Sequence, residues 1–129
     1  MNIKTRKFVL IPRGTKEDLE EFVPPVNNCL VYNTSDKKIY IYNSDGTGRV
    51  ISGEELYDRY MKYKLTIYHG RYLILLDRVI VSGVVIELSH GNKEANDNFL
   101  GSDGELTVDT ELKVIRIHDG ITPGGRVYK

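Results

Sequence analysis

The chain has 129 residues, and eighteen basic side chains balance eighteen acidic ones. That length fits one domain or two very small ones. Nothing in that balance suggests the basic stripe of a nucleic-acid binder, and no apolar run approaches the roughly 18 residues of a membrane-spanning helix, so no membrane insertion is expected.

Val, Ile and Tyr are abundant and Ala95 is the only alanine, a composition that favours strands over a helical bundle. The N-terminal run from Met1 to Phe8 lacks the apolar core of a signal peptide, so export is not expected. Cys29 is alone, which excludes an internal disulfide and fits synthesis in a reducing cytoplasm.

Residues 3–11 are predicted to form a first strand that stops at Pro12. Arg13-Gly14 is read as a turn. Thr15 is placed to cap a short helix with Asp18 in capping-box position, and Leu19 and Phe22 share a face of it. Pro24-Pro25 ends that helix, because proline lacks the amide donor and restricts its predecessor. A hairpin follows: Leu30-Val31-Tyr32-Asn33, a polar turn, then Ile39-Tyr40-Ile41-Tyr42. Ser52-Gly53-Glu54-Glu55 reads as a second capping box, opening a helix over about 53–63 whose apolar stripe is Leu56, Tyr60 and Tyr63. Packing explains the cluster Tyr57, Tyr60, Tyr63 and Tyr68 better than a stacking platform does.

Residues 65–88 are the most apolar part. His69-Gly70 and Ser82-Gly83 break the run where glycine can supply positive φ, so up to four short strands in a meander are predicted. The runs do not alternate cleanly, which implies cover on both faces. In a small chain that cover points to self-association, with Leu73, Leu75, Val79, Val81, Val84 and Ile86 as the candidate interface. Residues 89–103 are rich in Asn, Asp and Gly and read as a long polar loop.

Residues 104–125 then repeat the first hairpin. Leu106 matches Leu30, Thr110 matches Thr34, Ile115 and Ile117 match Ile39 and Ile41, Asp119-Gly120 matches Asp45-Gly46, and Arg126-Val127 matches Arg49-Val50. The copies lie about 75 residues apart, which suggests one duplicated unit and not a solenoid of at least about three shorter repeats. Gly46 and Gly120 are expected to supply left-handed turns at the ends of the second strands. Ile39, Ile41, Ile115 and Ile117 then point into a core, and His118 faces the other way.

The ordered combination of strand, Asp/Asn-Thr, strand and Asp-Gly, closing on Pro123-Gly124-Gly125, resembles a module of bacteriophage tail-fibre and other virion structural proteins. The lead of Arg13-Gly14-Thr15, short helix and hairpin is similar to the N-terminal module of phage tropism-determinant, receptor-binding proteins. The resemblance covers about half of the chain. It departs from the pattern at Asn33, at the inserted Asn43-Ser44 and in the missing Pro-Gly-Gly of the first copy, and it does not extend to 64–100. It implies a structural component of a virion, of tail-fibre, baseplate or fibre-attachment type, made in the host cytoplasm. Such a component works by assembly, as a homotrimer and with other virion proteins. Alternatives are a capsid-decoration or head-fibre protein, or a module that binds a host-surface glycan.

Chemistry-bearing constellations are sparse. His69, His90 and His118 have no metal-ligand spacing and Cys29 has no C-x-x-C partner, so no metal is expected. Asp45-Gly46-Thr47-Gly48 and Asn96-Asp97-Asn98 lack the spacing of a calcium loop and read as turn chemistry. The glycines of 120–125 lack a following Lys-Ser/Thr and helix, so phosphate cradling is not expected. Glu17, Asp18, Glu20 and Glu21 fit the solvated start of a helix. No catalytic residues and no cofactor are expected. The fold expectation is mainly β with two short helices: two related strand-turn-strand units joined by a β-meander, divided as 1–64, 65–103 and 104–129.

Overall fold

The computed structural model describes residues 9–81 and 83–129. The chain is mainly β, with ten strands in two sheets and three helices among the described residues. It divides into two compact units, Ile11–Glu87 and a second formed by Leu88–Lys129 together with Val9 and Leu10. Most of the expected strand over 3–11 lies outside the described residues; of its end, Leu10 forms a single bridge to Glu105.

In the first unit β1 (Arg13–Gly14) runs parallel to β2 (Cys29–Asn33), and β2 pairs antiparallel with β3 (Lys38–Tyr42) along its whole length. β4 (Gly48–Val50) extends the sheet beyond β3, with Ile41 opposite Arg49. Gly14 is therefore not a turn residue. It is a strand residue whose carbonyl accepts the amide of Thr34 at 2.9 Å, and a Cβ there would lie 3.1 Å from that of Asp18. Its missing side chain lets α1 (Lys16–Glu20) close onto the strand. Thr15 and Asp18 make both halves of the capping box, which fixes where α1 starts.

The 52–63 segment folds as its stripe predicts. α2 (Gly53–Tyr63) buries Leu56 and Tyr60, and Ser52 accepts the Glu55 amide at 3.1 Å. The Glu55 carboxylate goes elsewhere, gripping Arg49 through two bonds of 3.0 and 2.7 Å. β5 (Leu65–Tyr68) and β6 (Tyr72–Leu75) form a hairpin. His69 and Gly70, at φ 53° and 68°, make its turn with the two positive φ values a two-residue reversal favours.

β6 lies antiparallel to β2, so the sheet order is β4-β3-β2-β6-β5 with β1 also on β2. Two corrections follow. The expected division at 64/65 is not a boundary, because β5 and β6 complete the first unit's sheet, and the division falls after Glu87. Of up to four expected meander strands, the described residues hold two, and 79–86 returns only to an isolated bridge between Ile86 and Leu65.

In the second unit β7 (Ser89–Gly91), β8 (Leu106–Asp109), β9 (Val114–Ile117) and β10 (Arg126–Val127) form one sheet, order β10-β9-β8-β7. β7 runs parallel to β8. α3 (Lys93–Asp97) follows β7, capped by Asn92, whose Oδ1 accepts the Ala95 amide at 2.8 Å. The segment 89–103 is thus strand plus helix, not a loop. Its asparagines read as loop because Asn92 is a cap and Asn96 is fully buried in hydrogen bonds.

The repeat seen in the sequence is longer in three dimensions. β1, α1, β2, β3 and β4 recur as β7, α3, β8, β9 and β10. Thr34 and Thr110 each give their amide and hydroxyl to the carbonyl of the parallel strand's glycine, Gly14 or Gly91. Lys37 and Lys113 both sit left-handed, at φ 60° and 58°. The Ile51 amide binds Ile39 O at 3.0 Å, as that of Tyr128 binds Ile115 O at 2.9 Å. Burying Ile39, Ile41, Ile115 and Ile117 stabilises each module by about 1.5–3 kcal/mol per side chain.

Candidate functional site

The two modules differ most in what fills the space under the helix. In the first module Leu19, Cys29, Val31, Tyr42 and Ile74 form an apolar cluster, with Phe22 edge-on to Tyr42 at 5.2 Å. Burial pushes the Cys29 thiol up to about 11. In the second module the same place holds Asn96, Thr107 and His118, all buried, with Phe99 edge-on to His118 at 5.3 Å.

The hydrogen bonds fix the protons in this network. The Asn96 amide nitrogen donates to the carbonyls of Gly91, Asn92 and Val108 at 3.0, 3.0 and 3.2 Å. Its oxygen therefore faces Thr107 and accepts that hydroxyl at 3.0 Å. With its proton spent, Thr107 Oγ1 can only accept from His118 Nε2 at 2.8 Å. His118 is thus the neutral Nε2–H tautomer, and its Nδ1 lone pair has no hydrogen-bond partner. Burial, then the nearby Arg116 charge, holds the imidazole down at about 4. A threonine–histidine pair has the composition of a nucleophile and base. Here both residues lie under 2% exposed, closed to any substrate, and their bonds hold α3 on the sheet.

Beside it lies a buried ion pair. Arg116 reaches Asp109 at 2.8 Å and Asp97 at 3.0 Å, and donates to the Gly124 carbonyl at 3.1 Å. Asp109 Oδ1 also accepts the amides of Glu111 and Leu112, so one carboxylate both shapes the hairpin turn and neutralises the guanidinium. Asn33 shapes the first turn in the same way, accepting from Ser35 and Asp36, and its neutral amide needs no cation.

His118 overturns one expectation. Strand alternation places it away from the core, yet it is 1% exposed while Ile117 is buried as well. The strand pairing ends at Ile117, and beyond it Gly101 and Gly125 pack so close that a Cβ on either would collide with His118. The side His118 faces is therefore covered too.

The expected turn glycines fare unequally. Gly46 and Gly120 lie at φ 87° and 81°, each behind an aspartate that holds its turn. Asp45 accepts the Thr47 hydroxyl at 2.6 Å and its amide, and Asp119 accepts the amides of Ile121 and Thr122 and the Thr122 hydroxyl. Those bonds, led by the Thr122 amide, pull Asp119 down to about 2, and the Thr47 hydroxyl lowers Asp45. The turns are not in the same place. Asp119 directly follows His118, whereas Asn43 and Ser44 separate Asp45 from Tyr42, the equivalent of His118.

The candidate interface also splits. Leu73 and Leu75 are buried within the first unit, because β6 is an inner strand between β2 and β5, so they are core and not interface. Ile86 is half-buried against Leu65. Val79, Val81 and Val84 are 74%, 101% and 68% exposed.

One open pocket of about 250 Å³ lies in the first unit, lined by Asn28, Ile41, Asn43, Thr47, Gly48, Arg49 and Arg59. Glu55 sits between the two guanidiniums, at 2.7 Å from Arg49 and 3.8 Å from Arg59. Hydrogen bonding to Arg49 lowers Glu55 below the ordinary carboxylate range. Nothing in the sequence signals this pocket, because its residues come from separate stretches of the chain. No group of three or more metal-ligating side chains gathers among the described residues. Among them, too, no helix is long and apolar enough to cross a membrane. Comparison with protein-family models, curated proteins and solved structures finds no match.

Proposed function

We propose that the chain is a structural component of a bacteriophage virion, of tail-fibre, baseplate or fibre-attachment type, acting by assembly and not by chemistry. The observation that carries this reading is the duplicated module, with its Asp/Asn-Thr turn and glycine-rich closing turn, in the order the tail-fibre resemblance requires. The buried position of the chain's most enzyme-like residues, Thr107 and His118, agrees with a scaffolding role. Its partners are copies of itself, in a threefold arrangement, and other virion proteins.

The test is mass spectrometry of purified particles from a phage encoding this chain. The chain is expected among the particle proteins in constant copy number across preparations. Its absence from intact particles, with abundance in the infected cell, overturns the reading. Sedimentation equilibrium tests the stoichiometry, with a multiple of three chain masses expected.

A second reading, host-glycan recognition, draws on the pocket beside Arg49. Two guanidiniums, two asparagines and Thr47 offer hydrogen bonds to a hydroxylated or acidic sugar over the apolar Ile41. A glycan array on the purified chain, repeated with Arg59→Ala, tests it. Binding lost with that substitution favours this reading, and no binding to any glycan dismisses it.

A further inference from the structure

The segment from Arg78 to Glu87 reads Arg-Val-Ile-Val-Ser-Gly-Val-Val-Ile-Glu. Six of the eight residues 79–86 are Val or Ile, none is charged, and the run is closed by a cation at one end and an anion at the other. Val79, Val81, Val84 and Val85 are all exposed, Val81 completely. Residues of this kind belong in paired, covered strands. Yet among the described residues no strand is formed here, and Gly83 lies at φ 101°. The segment is anchored at one end to the edge of the first unit's sheet: Ile86 and Leu65 exchange backbone bonds of 2.8 and 3.3 Å, and Thr66 donates to Val84 O at 2.6 Å.

We infer that this segment is a self-association surface and that its occupant is the same segment of a second copy, laid antiparallel. The sequence is complementary to itself in that direction alone. With Arg78 of one copy opposite Glu87 of the other, Val79 faces Ile86, Ile80 faces Val85 and Val81 faces Val84, and the opposite end repeats the same pairs. Every apolar side chain meets another, and both terminal pairs join opposite charges. In a parallel arrangement Arg78 would meet Arg78 and Glu87 would meet Glu87. Arg78 can turn outward, since its side chain is 77% exposed and its ion pair is with neighbouring Asp77, at 2.9 Å. An antiparallel self-contact is isologous and closes with two copies. It is independent of the virion reading. If the threefold arrangement also exists, the two symmetries together give a hexamer; if it does not, they give a dimer.

The experiment is sedimentation equilibrium of the full chain over a range of concentrations. The expected mass is two or six chains. Val81→Arg, at a fully exposed position that leaves the fold alone, is expected to halve it, with the far-ultraviolet circular dichroism and thermal midpoint unchanged. A charge exchange sharpens the test. Arg78→Glu alone and Glu87→Arg alone should each weaken association, by roughly tenfold or more, as like charges come to face each other. An equimolar mixture of the two variants should restore it. In the mixed pair the introduced carboxylate meets the introduced guanidinium, and the native Glu87 of one chain meets the native Arg78 of the other. A wild-type monomer or trimer, Val81→Arg with undiminished mass, a mixture no stronger than its components, or open-ended growth into fibres each overturns the inference.

Discussion

Four residues after its helix cap, the first module carries Leu19; the second carries Asn96. At the end of the third strand of each, Tyr42 stands against His118. Two positions earlier Tyr40 stands against Arg116, and in the second strand Val31 stands against Thr107. The backbones keep the same strand pairings, with Ile41 opposite Arg49 in one and Ile117 opposite Arg126 in the other. One backbone is thus filled once by apolar contact and once by a hydrogen-bonded network. The difference is in tolerance. An apolar filling degrades by small steps when a methylene is lost, whereas a network fails at once when one member leaves the others buried without partners.

The largest effect should come from breaking the ion pair. Arg116→Met leaves Asp109 fully buried without its guanidinium partner and should cost about 3–5 kcal/mol in urea denaturation. Copying the first module's pair with Asp109→Asn and Arg116→Tyr should recover most of that loss. If the double variant is as unstable as Arg116→Met, the modules are not interchangeable at these positions.

Ile41→Ala and Ile117→Ala should each cost about 2–5 kcal/mol and agree with one another, because both side chains are 6% exposed at the same register. A large disparity would break the alignment of the third strands.

Acid should separate the modules. Burial holds His118 at about 4, below its ordinary 6.5, so the folded second module resists the proton that the unfolded chain accepts. Its contribution is complete above pH 6.5 and is lost as pH falls from 6.5 to 4, in total on the order of 3 kcal/mol. Burial raises the Glu105 carboxyl, so that group regains stability as it protonates and partly opposes the trend, while Asp119 loses its contribution only below its ordinary 3.8, toward 2. Tyr42 carries no charge in this range, so His118→Tyr should flatten the stability profile between pH 6.5 and 4. A profile already flat in the native chain would show that the buried imidazole is not neutral.

The smallest effect has the opposite sign. Lys37→Gly and Lys113→Gly should each stabilise by about 0.5–1 kcal/mol, since glycine relieves the left-handed strain that both lysines carry, net of its greater freedom in the unfolded chain. Equal gains in thermal midpoint would confirm that the two turns share one geometry.

Much of this comparison is legible in the amino-acid sequence, and the illegible part has physical causes. The pairs Leu30/Leu106, Thr34/Thr110 and Ile39/Ile115 are visible because alternating strands must place the same residue types at the same register. The leading half, Arg13-Gly14-Thr15 against His90-Gly91-Asn92, does not show. A helix of five residues is too short to display a period, and a buried Asn96 reads as loop. Phe22 and Phe99 are the available signal, hidden by a spacing one residue longer than in the hairpins. The polar core is invisible for a related reason: Thr107, Asn96 and His118 are surface-like residue types, and only their mutual bonds allow them inside. The pocket beside Arg49 leaves no trace because its lining is discontinuous in the chain.

Cys29 gives the first unit a built-in clock. Its thiol is sealed in the apolar cluster and held near 11, so at neutral pH it has almost no thiolate to react. An alkylating reagent can label it only during moments when the unit opens, and the labelling rate then equals the opening equilibrium multiplied by the reagent's rate on a free thiol. The second unit has no cysteine and is silent to the same reagent. A single untouched atom therefore lets the breathing of one copy be timed while the other goes unobserved, without any change to the chain.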